Sequence, residues 1–323
     1  MRFSPTRRTA IAFGATLLFA AGTAGAQTQP LRVILPVGAG SGVDGIVRSA
    51  QNELSKALGG QPVVIENLPG AGGITGTQAL VKAAPDGNTI GVLSNNHAVN
   101  PSVFKKLPYD SVADITPISV VGSTPFVVVV NPKVPAKNAK ELQAVLKAKP
   151  GDYNYASSGN GTVIHLAGEM FIDALGVQIT HVPYKGVGPQ VADLIGGQVQ
   201  LGVVAVPAAQ AHIKSGALRA IGVMGKSRVP TLPDVPTVAE QGFPEVDIAG
   251  WFMVAGPKGL PADKVKKLHD AFVTAFNTPD VKAAMARQDN AIAPTTPEAA
   301  LAFLKSEEER YTKLVKKADI KVE

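Results

Sequence analysis

Short apolar runs rich in Val and Ile recur along the chain at 31–35, 63–65, 89–93, 126–130, 153–156, 179–182, 201–206 and 220–224. Gly, Pro, Asn and Asp bound most of them, as expected for buried strands. Between them, apolar positions three and four apart predict helices over 44–58, 75–83, 140–149, 163–175, 187–195, 262–276, 281–288 and 297–317. Strand–helix alternation predicts an α/β fold of parallel sheets with helices on both faces, that is, doubly wound. Two further apolar segments break the alternation. Segment 125–131 ends in Asn131-Pro132, with a new helix after Pro135, and segment 248–257 holds the single Trp, Trp251, with almost only helix after it. They read as two crossover strands, 126–130 and 249–254. One lobe is then 27–125 plus 255–323, and the other is 130–248. A ligand is expected in the cleft between the lobes, where strand C-termini converge.

The first 26 residues are set apart. Arg2, Arg7 and Arg8 precede an uncharged apolar run at 10–21, and Ala24-Gly25-Ala26 gives a small-x-small cleavage pattern before Gln27. This is the layout of a secretory signal peptide cut after Ala26. Its apolar run falls short of the roughly 20 residues that span a bilayer. The segment carries three Arg and no acid, so half of the chain's +6 formal charge belongs to it. The remaining basic excess is dispersed, with no Lys/Arg block interleaved with aromatics, so no nucleic-acid partner is expected. The chain has no Cys. Export permits disulfides, and this fold is read as needing none.

Four loops follow strands and precede helices, and they carry the candidate chemistry. The first is Pro36-Val37-Gly38-Ala39-Gly40-Ser41-Gly42-Val43-Asp44, and the second is Asn67-Leu68-Pro69-Gly70-Ala71-Gly72-Gly73-Ile74-Thr75-Gly76. The third, Ser94-Asn95-Asn96-His97, is the weakest, because the helix after it is uncertain. The fourth is Ser157-Ser158-Gly159-Asn160-Gly161-Thr162. A helix start leaves about four N–H groups unpaired and carries roughly half a positive charge. Glycines let that backbone approach an anion closely. Such loops can hold a carboxylate without Arg or Lys, although a single one serves equally to turn the chain. Asp44 and Arg48, four apart, read as a helix-start acid and an ion pair that fix the first loop.

The first loop also imitates the dinucleotide fingerprint, with Gly40-x-Gly42-x-x-Gly45 and Glu66 downstream. Pro36 interrupts the strand end and Asp44 would repel a pyrophosphate, so no cofactor is expected. None of His97, His165, His181, His212 and His269 stands at metal-ligand spacing from another His or an acid. His165, in the first turn after Thr162, stays open between a cleft role and a structural one. No Gly-x-Ser-x-Gly elbow, no Ser with an evident base and no paired carboxylates occur. The sequence therefore reads as a binding protein, not an enzyme.

At these loops the chain resembles the periplasmic solute-binding receptors of the tripartite tricarboxylate transporters, often called Bug receptors. The matching stretches are 36–48, 67–76 followed by Ala84-Pro85-Asp86-Gly87, Leu107-Pro108-Tyr109-Asp110, Tyr155-Ala156-Ser157-Ser158-Gly159, His165-Leu166-Ala167-Gly168-Glu169, Val182-Pro183-Tyr184-Lys185-Gly186, Gly196-Gly197-Gln198-Val199 and Leu232-Pro233-Asp234-Val235-Pro236-Thr237. The resemblance implies a type II periplasmic-binding-protein fold with a hinge. It implies a receptor that takes a small carboxylate (a citrate-like tricarboxylate, a dicarboxylate, an acidic amino acid, nicotinate or an aromatic acid) to a membrane permease of a large and a small subunit, and the chain is read as a monomer. A periplasmic sensor for a membrane kinase would use the same fold and site. An exported α/β enzyme is the remaining alternative. The resemblance places the ligand between residues Val37 to Gly42 and Ser157 to Thr162, with Tyr184 as a wall, and the third loop adds Asn95 and His97 as candidates. Two departures stand out. Val37 replaces the aromatic common in the family, and Val203-Val204, followed by Ala205, stands where many members have Phe-Asp. Without an acid at Val204 an amino-acid ligand is disfavoured, and an acid with an aliphatic or aromatic body suits the pocket.

Overall fold

The structure is a computed structural model that describes residues 29–317; the leader read at 1–26 lies outside them. One mixed sheet runs through the molecule. Its first half is built from β1 (Leu31–Leu35), β2 (Val63–Asn67) and β3 (Thr89–Ser94), all parallel, with β1 in the centre. β4 (Ile115–Val130) and β9 (Ala249–Pro257) run antiparallel to each other, and β9 also pairs with β3. The second half holds β5 (Asn154–Ser157), β6 (Thr180–Pro183) and β7 (Leu201–Ala205), which are parallel, with β7 pairing antiparallel to β4. β8 (Arg219–Met224) covers the other side of β4, and β10 (Ala291–Ile292) adds a short pair to it.

The first crossover differs from the expectation of a separate five-residue strand. β4 is continuous for 16 residues and changes partners midway. Pro125 pairs with Ala249 of β9, and Phe126 pairs with both Ala205 of β7 and Met224 of β8. Proline cannot donate to a ladder, so it suits the point where a strand changes neighbours. Residues 126–130 then sit between two strands, 0–3% exposed, which is why the sequence shows an unbroken apolar run there. The earlier part of β4 carries Pro117, Gly122 and two register shifts, and these concealed its strand character.

The helices are α1 (Gly42–Ala57), α2 (Ile74–Val81, entered through a 3-10 turn at Ala71–Gly73), α3 (Asn95–Val103), α4 (Ala139–Ala148), α5 (Val163–Leu175), α6 (Val187–Gly196), α7 (Val206–Lys214), α8 (Ala262–Asn277), α9 (Pro279–Ala286) and α10 (Pro297–Lys317). The uncertain helix after Ser94 is real. α7 escaped notice because Pro207 and a run of Ala conceal an apolar stripe, yet Pro is accommodated in a first helical turn. Among the described residues no helix is long and apolar enough to cross a membrane.

Candidate functional site

The loop between β1 and α1 is shaped by one carboxylate. Asp44, 4% exposed, accepts the Gly40 N–H through Oδ2 at 2.9 Å. Its Oδ1 accepts from Arg48 Nε at 2.9 Å and from Asn67 Nδ2 at 3.0 Å. Asn67 Nδ2 also donates to the Val37 carbonyl, and Arg48 Nη2 donates to Asn67 Oδ1. These three side chains tie the first Gly-rich loop to the second. Ser41 caps α1 by accepting the Asp44 N–H at 3.3 Å. The first N–H to reach a carbonyl of the helix is that of Gly45, which bonds to Ser41. The Gly42 and Val43 N–H groups have no carbonyl behind them, and both residues border the central cavity.

The loop between β5 and α5 is more self-contained. Thr162 Oγ1 accepts the His165 N–H at 3.2 Å and donates to the Gly159 carbonyl at 2.8 Å. The Gly159 N–H goes to Ser157 Oγ, the Gly161 N–H to His165 Nδ1, and the Thr162 N–H back to Gly159. Asn96 Oδ1, from α3 across the cleft, takes the Val163 N–H at 2.8 Å. The two loops expected to embrace a carboxylate are thus arranged asymmetrically. The start of α1 is open, whereas α5 is largely closed by its own side chains and by Asn96.

Beneath that loop lies a cluster that the sequence reading missed. The His165 and His181 rings stack with centroids 3.9 Å apart and planes 8° apart. His165 Nε2 lies 3.5 Å from Glu169 Oε1, which also accepts from the Tyr155 hydroxyl. Ser157 Oγ lies 2.7 Å from His181 Nε2. The expectations that no His stands at metal-ligand spacing from an acid, and that no Ser has an evident base, are corrected here by His165–Glu169 and by Ser157–His181. His165 and Glu169 are four apart on α5, and the β5–β6 pairing sets His181 opposite Tyr155. Ser157 is fully buried and absent from the cavity wall, with its hydroxyl turned into its own loop, so this pair braces the loop. Burial, with His165 beside it, lowers His181 to about 4. Burial works to raise the Glu169 carboxyl, but hydrogen bonds from His165 and Tyr155 outweigh it and hold Glu169 below its usual range. Among the described residues no group of three or more His, Cys, Asp or Glu is placed to hold a metal.

The cavity between the two halves of the sheet measures about 740 Å³, within the range of small-ligand sites. Six helix starts reach its wall: Gly42 of α1, Gly73 ahead of α2, Asn95 and Asn96 of α3, Ile164 of α5, Val187 of α6, and Ala205 ahead of α7. Each contributes roughly half a positive charge. Among the described residues, Lys185 is the one charged side chain on the wall, and no acid lines it. Val37, Phe104, Phe126, Val204, Ala208 and Trp251 supply apolar surface. The site suits an anion with an apolar body.

Of the expected binding residues, Val37, Ser41, Gly42, Asn95, Ser158, Asn160, Thr162, Tyr184, Val204 and Ala205 border the cavity. Five do not. Ala39 and Gly40 are exposed on the outer turn of their loop, where Gly40 adopts φ of 78° and gives its N–H to Asp44. Ser157 and Gly161 lie under their loop, bonded to His181 and His165. His97 is 3% exposed and packs against the 109–111 turn, its Nε2 at 2.7 Å from the Ser111 carbonyl and its ring stacked on Tyr109. A carbonyl only accepts, so Nε2 carries the proton, and burial lowers His97 to about 4. Asn95 borders the cavity with its side chain committed elsewhere. It accepts the Trp251 N–H at 2.8 Å and donates to the Ala249 carbonyl and the Tyr311 hydroxyl. Tyr184 donates its hydroxyl to Asp193 at 2.9 Å and so presents its ring; burial, then Asp193, push that hydroxyl up to about 12. Four residues were outside the expected set: Asn67, Asn96, Thr124 and Lys185. Asn67 and Asn96 stood within loops singled out by their glycines and helix starts, and Thr124 had only its place before Pro125 to mark it.

A family profile described as "Tripartite tricarboxylate transporter family receptor" matches residues 46–320. Protein BugT of Bordetella pertussis is 36% identical over 296 residues, covering 91% of this chain and 90% of its own. MatC of Rhodopseudomonas palustris, solved with bound malate, is 28% identical with a TM-score of 0.82, covering 88% of this chain and 98% of its own. Rpa4515 of R. palustris, solved with adipate, is 27% identical with a TM-score of 0.87, covering 92% and 99%.

Proposed function

The chain belongs to the tripartite tricarboxylate transporter receptor family of periplasmic solute-binding proteins, and from that premise we propose that it captures a small carboxylate, with linear dicarboxylates as the leading class, for delivery to a membrane permease. The observation that carries this reading is the cavity wall, with six helix starts, one cation and no acid. A carboxylate enters with its inner end toward the start of α1, where Gly42 and Val43 offer N–H groups. The apolar walls take the body of the ligand. Lys185, exposed and without an ion pair among the described residues, faces a second carboxylate. The two relatives solved with malate and adipate hold acids of this kind. With no acid at Val204 to meet an ammonium group, amino acids are disfavoured.

The two sheet halves act as lobes that close over the ligand about β4 and β9, and only contacts made in the closed arrangement drive closure. The mature receptor starts at Gln27, in the periplasm. The test is calorimetry and thermal shift on the chain from Gln27 with mono-, di- and tricarboxylates. A ligand at about 100 times its dissociation constant stabilises by roughly 2.7 kcal/mol. Absence of binding by every carboxylate would sink the reading.

A further inference from the structure

We propose that Thr124 is a ligand-recognition residue whose hydroxyl, together with the Gly42 N–H at the start of α1, binds one oxygen of the ligand's inner carboxylate. The proposal rests on the carboxylate reading above and adds a side chain to it. Thr124 is 4% exposed and borders the cavity, and its Oγ1 is buried without a hydrogen-bond partner. A buried hydroxyl without a partner is an exception in folded proteins and needs an explanation. Its orientation supplies one. A Cβ placed on Gly250, across the β4–β9 pair, would stand 2.6 Å from Thr124 Cγ2, so the methyl is packed against β9. Oγ1 and Cγ2 both lie 3.8 Å from where a Cβ on Gly42 would stand, so the hydroxyl borders that point beside the methyl, and the same point is 3.6 Å from Ala205 Cβ.

The start of α1, Thr124 and the residue ahead of α7 therefore border a space into which Gly42 sends no side chain. Gly42 brings an N–H without a helical acceptor, and Thr124 brings a hydroxyl with no acceptor in reach. A carboxylate oxygen satisfies both. The place is also mechanically special. Thr124 is two residues before Phe126, where β4 passes from β9 to β7 and β8, so a ligand held there touches both halves of the sheet and the strand that joins them.

The experiment uses Thr124→Val, which keeps the β-branched shape and removes only the hydroxyl, with adipate and succinate as probes in calorimetry. Affinity is expected to weaken about 10- to 100-fold, the effect of losing a hydrogen bond to a charged group. The melting temperature without ligand is expected to hold or rise, because the lost hydroxyl had no protein partner. Thr124→Ser restores affinity to within about threefold of wild type. Gly42→Ala, whose methyl would fill the shared space at ordinary contact distance, is expected to fold normally and lose binding. A merely structural hydroxyl would give the opposite, a lower melting temperature with unchanged affinity, and that overturns the proposal. Wild-type binding with equal binding by Thr124→Val overturns this inference alone. Failure of wild type to bind any mono-, di- or tricarboxylate overturns the function proposed above and this inference with it.

Discussion

Two histidines that do not touch the cavity contribute to the pH dependence expected of the fold. His97 is enclosed with Nε2–H on the Ser111 carbonyl, and its Nδ1 is buried without a partner. His181 is stacked between Tyr155 and His165. Burial lowers both to about 4, so the folded chain keeps them neutral, while the unfolded chain protonates them near 6.5. Between those values the unfolded state binds more protons. Their contribution to stability is therefore complete above about pH 6.5 and is lost as pH falls toward about 4. Glu169, held below its usual range, adds a loss of the same sign at lower pH, and Glu308, whose carboxyl burial raises, works in the opposite sense. The melting temperature is expected to fall by on the order of 5 °C between about pH 7 and pH 4.5, with His97→Phe flattening part of the drop. Circular dichroism melts across that window check it, and a flat profile would refute the assignment. His97 also shows where residue-level reading stops. Its place after two Asn at a strand end made it a cleft candidate, but whether a side chain there faces the cavity or the 109–111 turn depends on the rotation of α3, which no local pattern encodes.

At the scale of elements, the helix starts were legible because their chemistry is local. Gly-rich turns after apolar runs located α1, α2 and α5, and Asp44–Arg48 was correctly read as a brace, since both oxygens of Asp44 are spent on Gly40, Arg48 and Asn67. What was not legible is which N–H groups remain open, because partners arrive from remote segments. Asn96 reaches Val163 from 67 positions away, and Asn95 is bound to β9 and α10 over more than 150 positions. Asn96 gives a sharp test. It caps α5 from across the cleft while bordering the cavity. Asn96→Asp keeps the acceptor and adds a negative charge that a helix start tolerates well. Its melting temperature is expected to stay within about 2 °C of wild type, which for a chain of this size is within about 1 kcal/mol. Its affinity for dicarboxylates is expected to drop by tenfold or more, because an acid now stands on a wall that had none. Calorimetry at low salt reads the effect, and unchanged affinity would count against an anion site.

Across the whole molecule, the two halves of the sheet touch through contacts lying outside the cavity wall, and these bear on affinity without meeting the ligand. Thr231, in the segment after β8, donates its N–H to Asp289 Oδ1 at 3.1 Å and its hydroxyl to Oδ2. Asp289 follows α9 in the first half and holds φ of 55°, an uncommon backbone for a residue other than Gly. Gln210 of α7 donates to the Arg287 carbonyl at 3.2 Å on the same side. If the halves close as lobes, apparent affinity is the intrinsic value scaled by the closed fraction. Weakening such a contact then costs affinity while the binding residues stay intact. Thr231→Val removes the hydroxyl bond and leaves the N–H bond in place. One hydrogen bond of this kind contributes on the order of 1 kcal/mol, so dicarboxylate binding is expected to weaken about fivefold. Small-angle scattering of the free variant is expected to show a larger radius of gyration than wild type, and saturating ligand is expected to bring the two together. An unchanged radius with unchanged affinity would mean that the two halves form one rigid body, and the hinge would have to be abandoned while the anion site stood.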